Sequence, residues 1–111
     1  MIEQTIRNHL LTVLDVPVWL EEPNEKPARY VLFEKTGSGR SNRLDSSTFA
    51  FQSYAETLYE AARLNDRLKD AVDSLIALTE IARVSLNSDY NFTDTATKRF
   101  RYQAVYDIHH Y

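Results

Sequence analysis

The chain has 111 residues, 43% hydrophobic and 12% aromatic, which gives room for one domain spanning residues 1–111 around one core. The absence of cysteine removes disulfides, thiolate metal sites and cysteine nucleophiles together, and a net charge of −3 argues against a protein whose main task is to grip a phosphate backbone. No apolar run approaches the roughly 20 residues of a membrane span, and MIEQTIRNHLL lacks a basic start before an apolar stretch, so a soluble protein with no membrane partner is expected.

In chain order, Ile2, Ile6, Leu10, Val13 and Leu14 recur at spacings of three and four, one face of an amphipathic helix that Pro17 ends. VWLEE is then a short strand candidate, and EEPNEKP, with two of the three prolines, reads as a loop. RYVLFEKT (29–36) and SSTFAFQSY (46–54) suit strands and bracket the stretch EKTGSGRSNRLD, which holds both glycines of the chain and reads as a loop. From Glu56 to about Leu78, Leu58, Ala61, Leu64, Leu68, Ala71 or Val72, Leu75 and Leu78 mark a long helix, with Glu60, Arg63, Asp66, Arg67 and Asp70 outward. IARVSLN (81–87) reads as a strand and SDYNFTDTAT as a loop. In the final run Phe100, Tyr102, Ala104, Tyr106 and Ile108 alternate with polar residues, a strand with one buried face. The order α-β-β-β-α-β-β implies an α+β fold: a mainly antiparallel sheet of four to five strands with two helices on one face.

The glycine stretch is the first candidate site. A phosphate-binding P-loop needs a lysine followed by Ser or Thr at the start of a helix, whereas TGSGRSNR has no lysine there and leads into a strand. A plain hairpin would put glycine at positive φ, but a loop of roughly ten residues exceeds the two to five that a hairpin needs. The extra length, with Arg40, Asn42 and Arg43 at the tip, points to contact with something else. No catalytic, cofactor or metal site emerges elsewhere. His109 and His110 are neighbours on a strand and point to opposite faces, His9 lies alone on the first helix, and Asp15, Asp45, Asp89 and Asp94 fall at element ends where capping or turn roles suffice. RFRYQAVY has aromatic alternation like that of RNA-recognition sheets, but Arg99 and Arg101 flank Phe100 and the strand ends the chain, so its aromatic face reads as core.

YVLFEKTGSGRSNRLDSSTFAFQSYA (30–55), ETLYEAARLNDRLKDAVDSL (56–75) and RYQAVYDI (101–108) together resemble the tail-terminator, or tail-completion, proteins of long-tailed bacteriophages of the siphophage type and of prophages. The pattern also fits a neighbouring head–tail joining protein. The resemblance implies a virion structural protein without turnover or cofactor. It would assemble in the bacterial host cytoplasm into a ring of copies of itself, usually a hexamer, on the head-proximal end of the tail tube. The ring would stop addition of tail tube protein and offer a surface to the head–tail connector or neck protein. Such a ring needs a head-to-tail interface that closes on itself. On this reading Gly37, Ser38, Gly39, Arg40, Asn42 and Arg43 form a mobile arm that orders on docking, with Arg40 and Arg43 pairing with acidic groups or facing the DNA that passes through the ring. Glu21, Glu22 and Glu25 are the complement on the next subunit. A head-closure or neck adaptor is the alternative within the class, and a small nucleic-acid-binding domain the alternative outside it.

Overall fold

The computed structural model describes residues 1–111. Helix α1 (Ile2–Val13) is followed by strands β1 (Val18–Trp19), β2 (Tyr30–Ser41) and β3 (Leu44–Ala55), helix α2 (Leu58–Asp73) with a 3-10 turn at Ser74–Ala77, and strands β4 (Ile81–Asn91) and β5 (Phe100–His110). The strands form one sheet in the order β1-β2-β3-β5-β4, antiparallel except for the parallel pair β1-β2. This is the α+β plan expected, with both helices on one face. No helix is long and apolar enough to cross a membrane.

The helix-side face collects Val31 and Phe33 from β2, Phe49 and Phe51 from β3, and Ala104, Tyr106 and Ile108 from β5, which the register places side by side. Phe33 stacks on Phe51 at 5.1 Å, and Phe51 meets Tyr106 edge-on at 6.0 Å. Ile6, Leu10 and Leu14 of the α1 stripe and Leu64, Leu68, Val72 and Leu75 of the α2 stripe close over them. Burying each large side chain contributes roughly 1.5–3 kcal/mol, and the aromatic ladder is therefore the main cohesive element. Thr57 caps α2 by accepting from the Glu60 amide at 3.1 Å, the Thr-x-x-Glu start that a helix N-terminus favours. At the other end the Ser74 hydroxyl donates to the Ala71 carbonyl at 2.6 Å and to His9 of α1 it lies at 2.7 Å, so the last turn tightens and the helices are joined.

Several sequence expectations need correction. The long helix is α up to Asp73 only, and the last turn is 3-10. Leu58 is 39% exposed and Val13 52% exposed, because each lies at a helix end beyond the reach of the sheet. VWLEE contributes two strand residues, Val18 and Trp19, since β2 pairs with nothing more of it. The loop expected from Ser88 is strand as far as Asn91. There the ladder with β5 is bulged between Leu86 and Ser88, which resets the side-chain alternation and hides the strand from pattern reading.

The largest correction concerns EKTGSGRSNRLD. It is not a loop: β2 and β3 stay paired to Ser41↔Leu44, with one register shift between Lys35 and Gly37, and turn on two residues, Asn42 at φ 52° and Arg43 at φ 64°. Two consecutive positive φ values define the type I′ geometry whose twist suits a tight hairpin. Neither glycine has positive φ. Gly37 and Gly39 are strand residues, so they give the arm no special freedom to bend.

Candidate subunit interface

The candidate residues of the hairpin all reach the surface. Residues 34–41 of β2 are exposed, as are Asn42 and Arg43. The helices do not extend over this end of the sheet, so its helix-side face is polar, lined by Lys35, Ser38, Arg40, Asp45, Ser47 and His110. Arg40 is not unpaired, however. Its Nε donates to Asp45 Oδ1 at 2.6 Å directly across the hairpin, and this bond holds the Asp45 carboxyl below its ordinary range. Any acidic partner or DNA phosphate that Arg40 meets must therefore compete with Asp45. Arg43 has no such tie, and its side chain leaves the turn at the most distal point of the hairpin.

Gly39 has a specific local reason. A β-carbon there would come within 3.2 Å of Ser46 Oγ, closer than ordinary contact, whereas one at Gly37 would meet Thr48 at 3.9 Å without strain. His110 lies 3.0 Å from Ser47 Oγ on the helix-side face, and His109 falls on the opposite face, as their adjacency requires. No three His, Asp or Glu side chains gather as a metal site would need.

The acidic loop divides. Glu21 and Glu25 are exposed and form no ion pair. Glu22 is engaged within its own chain: Arg99 donates to its Oε1 at 2.6 Å and the Tyr30 hydroxyl at 3.1 Å. The Arg99 bond depresses the Glu22 pKa below its ordinary value against the opposing effect of burial. Within the single chain Glu22 thus pins its loop, and a neighbouring subunit would compete with Arg99 for it. Arg99 also contacts the Tyr30 hydroxyl and lies 4.6 Å from the centre of the Tyr54 ring, which stacks on Tyr30 at 4.6 Å. Arg101 binds the Tyr54 hydroxyl at 2.8 Å and covers Phe92 at 4.5 Å. This aromatic and arginine cluster fastens the loops 20–29 and 92–99 to the end of the sheet opposite the hairpin turn. Sequence reasoning missed it because Glu22 and Arg99 lie 77 residues apart.

Of the acidic residues assigned to element ends, Asp94 fits: its Oδ1 accepts from the Ala96 amide at 3.0 Å in a local turn. Asp89 does not. It lies inside β4, and its Oδ2 accepts from Lys69 at 2.8 Å and Asn65 at 3.0 Å on α2.

Comparison of the chain with protein-family models and with curated proteins finds no match.

Proposed function

We propose that the chain is a ring-forming virion assembly subunit that caps the head-proximal end of a phage tail tube. The observation that carries this reading is the β2-β3 hairpin. Its outer half is a paired ladder, bulged once at Thr36, whose β2 side chains are all exposed, more ordered surface than a connecting turn requires. An ordered polar arm at one end, and loops pinned by Arg99 and Arg101 at the other, give the subunit two chemically distinct ends, which a cap between tube and neck needs. The activity is binding without turnover, with copies of itself, tail tube protein and the connector as partners. The sequence resemblance to tail terminators supplies the particular assembly.

The experiment is loss of the chain from assembling tails, followed by electron microscopy. Tubes longer than normal support the terminator reading, and tails of normal length that lack heads move the assignment to a head-closure or neck adaptor. Replacing Arg40 with Ala and Arg43 with Gly in the intact chain should abolish capping while the purified subunit stays folded. Unchanged capping by that variant removes the hairpin from the interface.

A further inference from the structure

The two edges of the sheet are complementary to one another. Strand β1 pairs with Val31 and Leu32, and the phase of that parallel ladder also engages the Phe33 amide, so the outer edge of β2 is unpaired from Glu34 to Ser41. At the far side β4 is the other edge, unpaired along its whole outer side. The four long strands β2, β3, β5 and β4 alternate in direction, so a copy placed beside the first without inversion brings its β4 antiparallel to β2, helices on the same face.

Hydrogen-bond phase agrees. The Val31 amide donates outward to the Pro17 carbonyl at 2.9 Å, so by alternation Phe33 and Lys35 direct their backbone groups outward, and counting back from the Ser41↔Leu44 turn pair, so do Ser38 and Arg40. On β4, Phe92 bonds inward to Arg101 at 2.9 Å, so Asn91, Asp89, Leu86 and Val84 point outward. On both edges these are the residues of the helix-side face.

Along the stretch that would pair, each edge carries one extra residue, Thr36 on β2 and Asn87 on β4, and the second irregularity of β4, at Ala82, lies beyond it. A strand with one bulge keeps its faces matched over its full length only against a partner that is bulged at the same place. Setting Lys35 opposite Asp89 brings the two bulges together, Ser38 opposite Leu86, Arg40 opposite Val84 and Ser41 opposite Arg83. Faces and hydrogen-bond phase agree on both sides of the bulges. The seat begins where β1 stops. Lys35, 3.8 Å from Glu3 of its own α1, also reaches a carboxylate whose Oδ1 is left over by Lys69 and Asn65, and Leu86, 44% exposed on the free subunit, is covered.

We infer that a second copy of this chain adds its β4 to the free edge of β2, head to tail, so that the ring is closed by a continuous hydrogen-bonded sheet. This rests on the ring reading above, but its test does not involve tails. The chain has no cysteine, so engineered pairs report contacts cleanly. Purified full-length Ser38→Cys mixed with Leu86→Cys should give a disulfide-linked dimer on mild oxidation, as should Ser41→Cys with Arg83→Cys, since facing residues in such a ladder fall within disulfide reach. The doubly substituted S38C/L86C chain should give a ladder of linked oligomers. Ser38→Pro, which removes an outward amide at a position where an edge strand tolerates proline, should stay folded by circular dichroism and lose self-association. Three results would overturn the inference: no disulfide in the matched mixtures, equal linkage in the off-register mixture of Ser41→Cys with Leu86→Cys, or dimers from Ser38→Cys alone, which would mean two-fold pairing of β2 with itself. Over-long tails in the absence of the chain, together with no edge disulfide, would retain the capping role and discard edge pairing.

Discussion

Lys69 of α2 and Asp89 of β4 meet at 2.8 Å because a single extra residue, Asn87, turns Asp89 toward the helix. Without the bulge the strict alternation of β4 would send Asp89 to the open face. The pair ties the edge strand, which has a neighbour on one side only, to the helix layer. Asp89→Ala should lower unfolding stability by about 1 kcal/mol, since partly exposed pairs are screened and a second hydrogen bond from Asn65 is lost with it. A double-mutant cycle with Lys69→Ala in urea denaturation measures the coupling; additive losses would show that the two groups do not interact.

The same pair sets an acid limb. The Lys69 hydrogen bond holds the Asp89 pKa below its ordinary value, and Arg99 does the same for Glu22. For a carboxylate whose folded pKa is depressed, the stabilisation is complete above the unfolded value, roughly 4, and disappears as pH falls through the lower folded value. Stability should therefore be level down to about pH 5 and decline below it. In Asp89→Asn the decline should be shallower, which denaturation midpoints measured across that range will test.

Arg43 occupies a backbone conformation that only glycine and, less readily, asparagine adopt without cost. Arg43→Gly would give the Asn-Gly turn favoured by type I′ hairpins and should raise stability by roughly 0.5–1 kcal/mol. The prediction separates folding from assembly: a more stable chain that fails to cap tails has lost a contact made by the arginine, not its fold. A fall in thermal midpoint would contradict the turn assignment.

Gly37 offers the converse control. A β-carbon there finds ordinary contact distances, and its φ is not positive. Gly37→Ala should be neutral or stabilising by up to about 1 kcal/mol, because glycine in a strand loses more chain entropy than alanine. Destabilisation would mean that the arm depends on flexibility at this position.

Arg99 is the centre of the opposite end. Arg99→Lys keeps the charge but cannot both pair with Glu22 and lie flat over Tyr54, and should cost about 1–2 kcal/mol. Hydrogen exchange in residues 21–29 should rise with it, and unchanged protection there would show that the loop is held by other contacts.

Where a strand or helix buries one face, its sequence declares it. The α2 stripe and the alternation of Ala104, Tyr106 and Ile108 could be read directly because burial imposes the period. The outer hairpin could not. Residues 34–41 bury neither face, so nothing selects apolar residues, and Gly, Ser, Asn and Arg look like a loop although the backbone is held by the ladder to β3. On β4, at the edge of the sheet, the apolar alternation is weaker evidence of burial, since Val84 is half-buried and Leu86 exposed. Of the candidate interface residues, the surface position of the hairpin group was legible, whereas the cross-strand partner of Arg40 and the distant partner of Glu22 were not, since both pairings depend on register and topology.

The placement of β5 between β3 and β4 also governs how the chain reaches its native state. The β2-β3 hairpin closes through two residues and can form early, but the next ladder joins Gln52 to Gln103, 51 residues away, and must close a long loop that contains α2 and β4. Topology therefore predicts that insertion of β5 into the middle of the sheet is the slow step of folding. Until then β3 presents an edge of unpaired backbone amides and carbonyls open to mispairing. Substitutions at Arg40–Asp45, a contact made before the slow step, should change the folding rate with little effect on unfolding, while those at Gln52–Gln103, made during that step or after it, should also speed unfolding, a contrast that stopped-flow chevron measurements resolve.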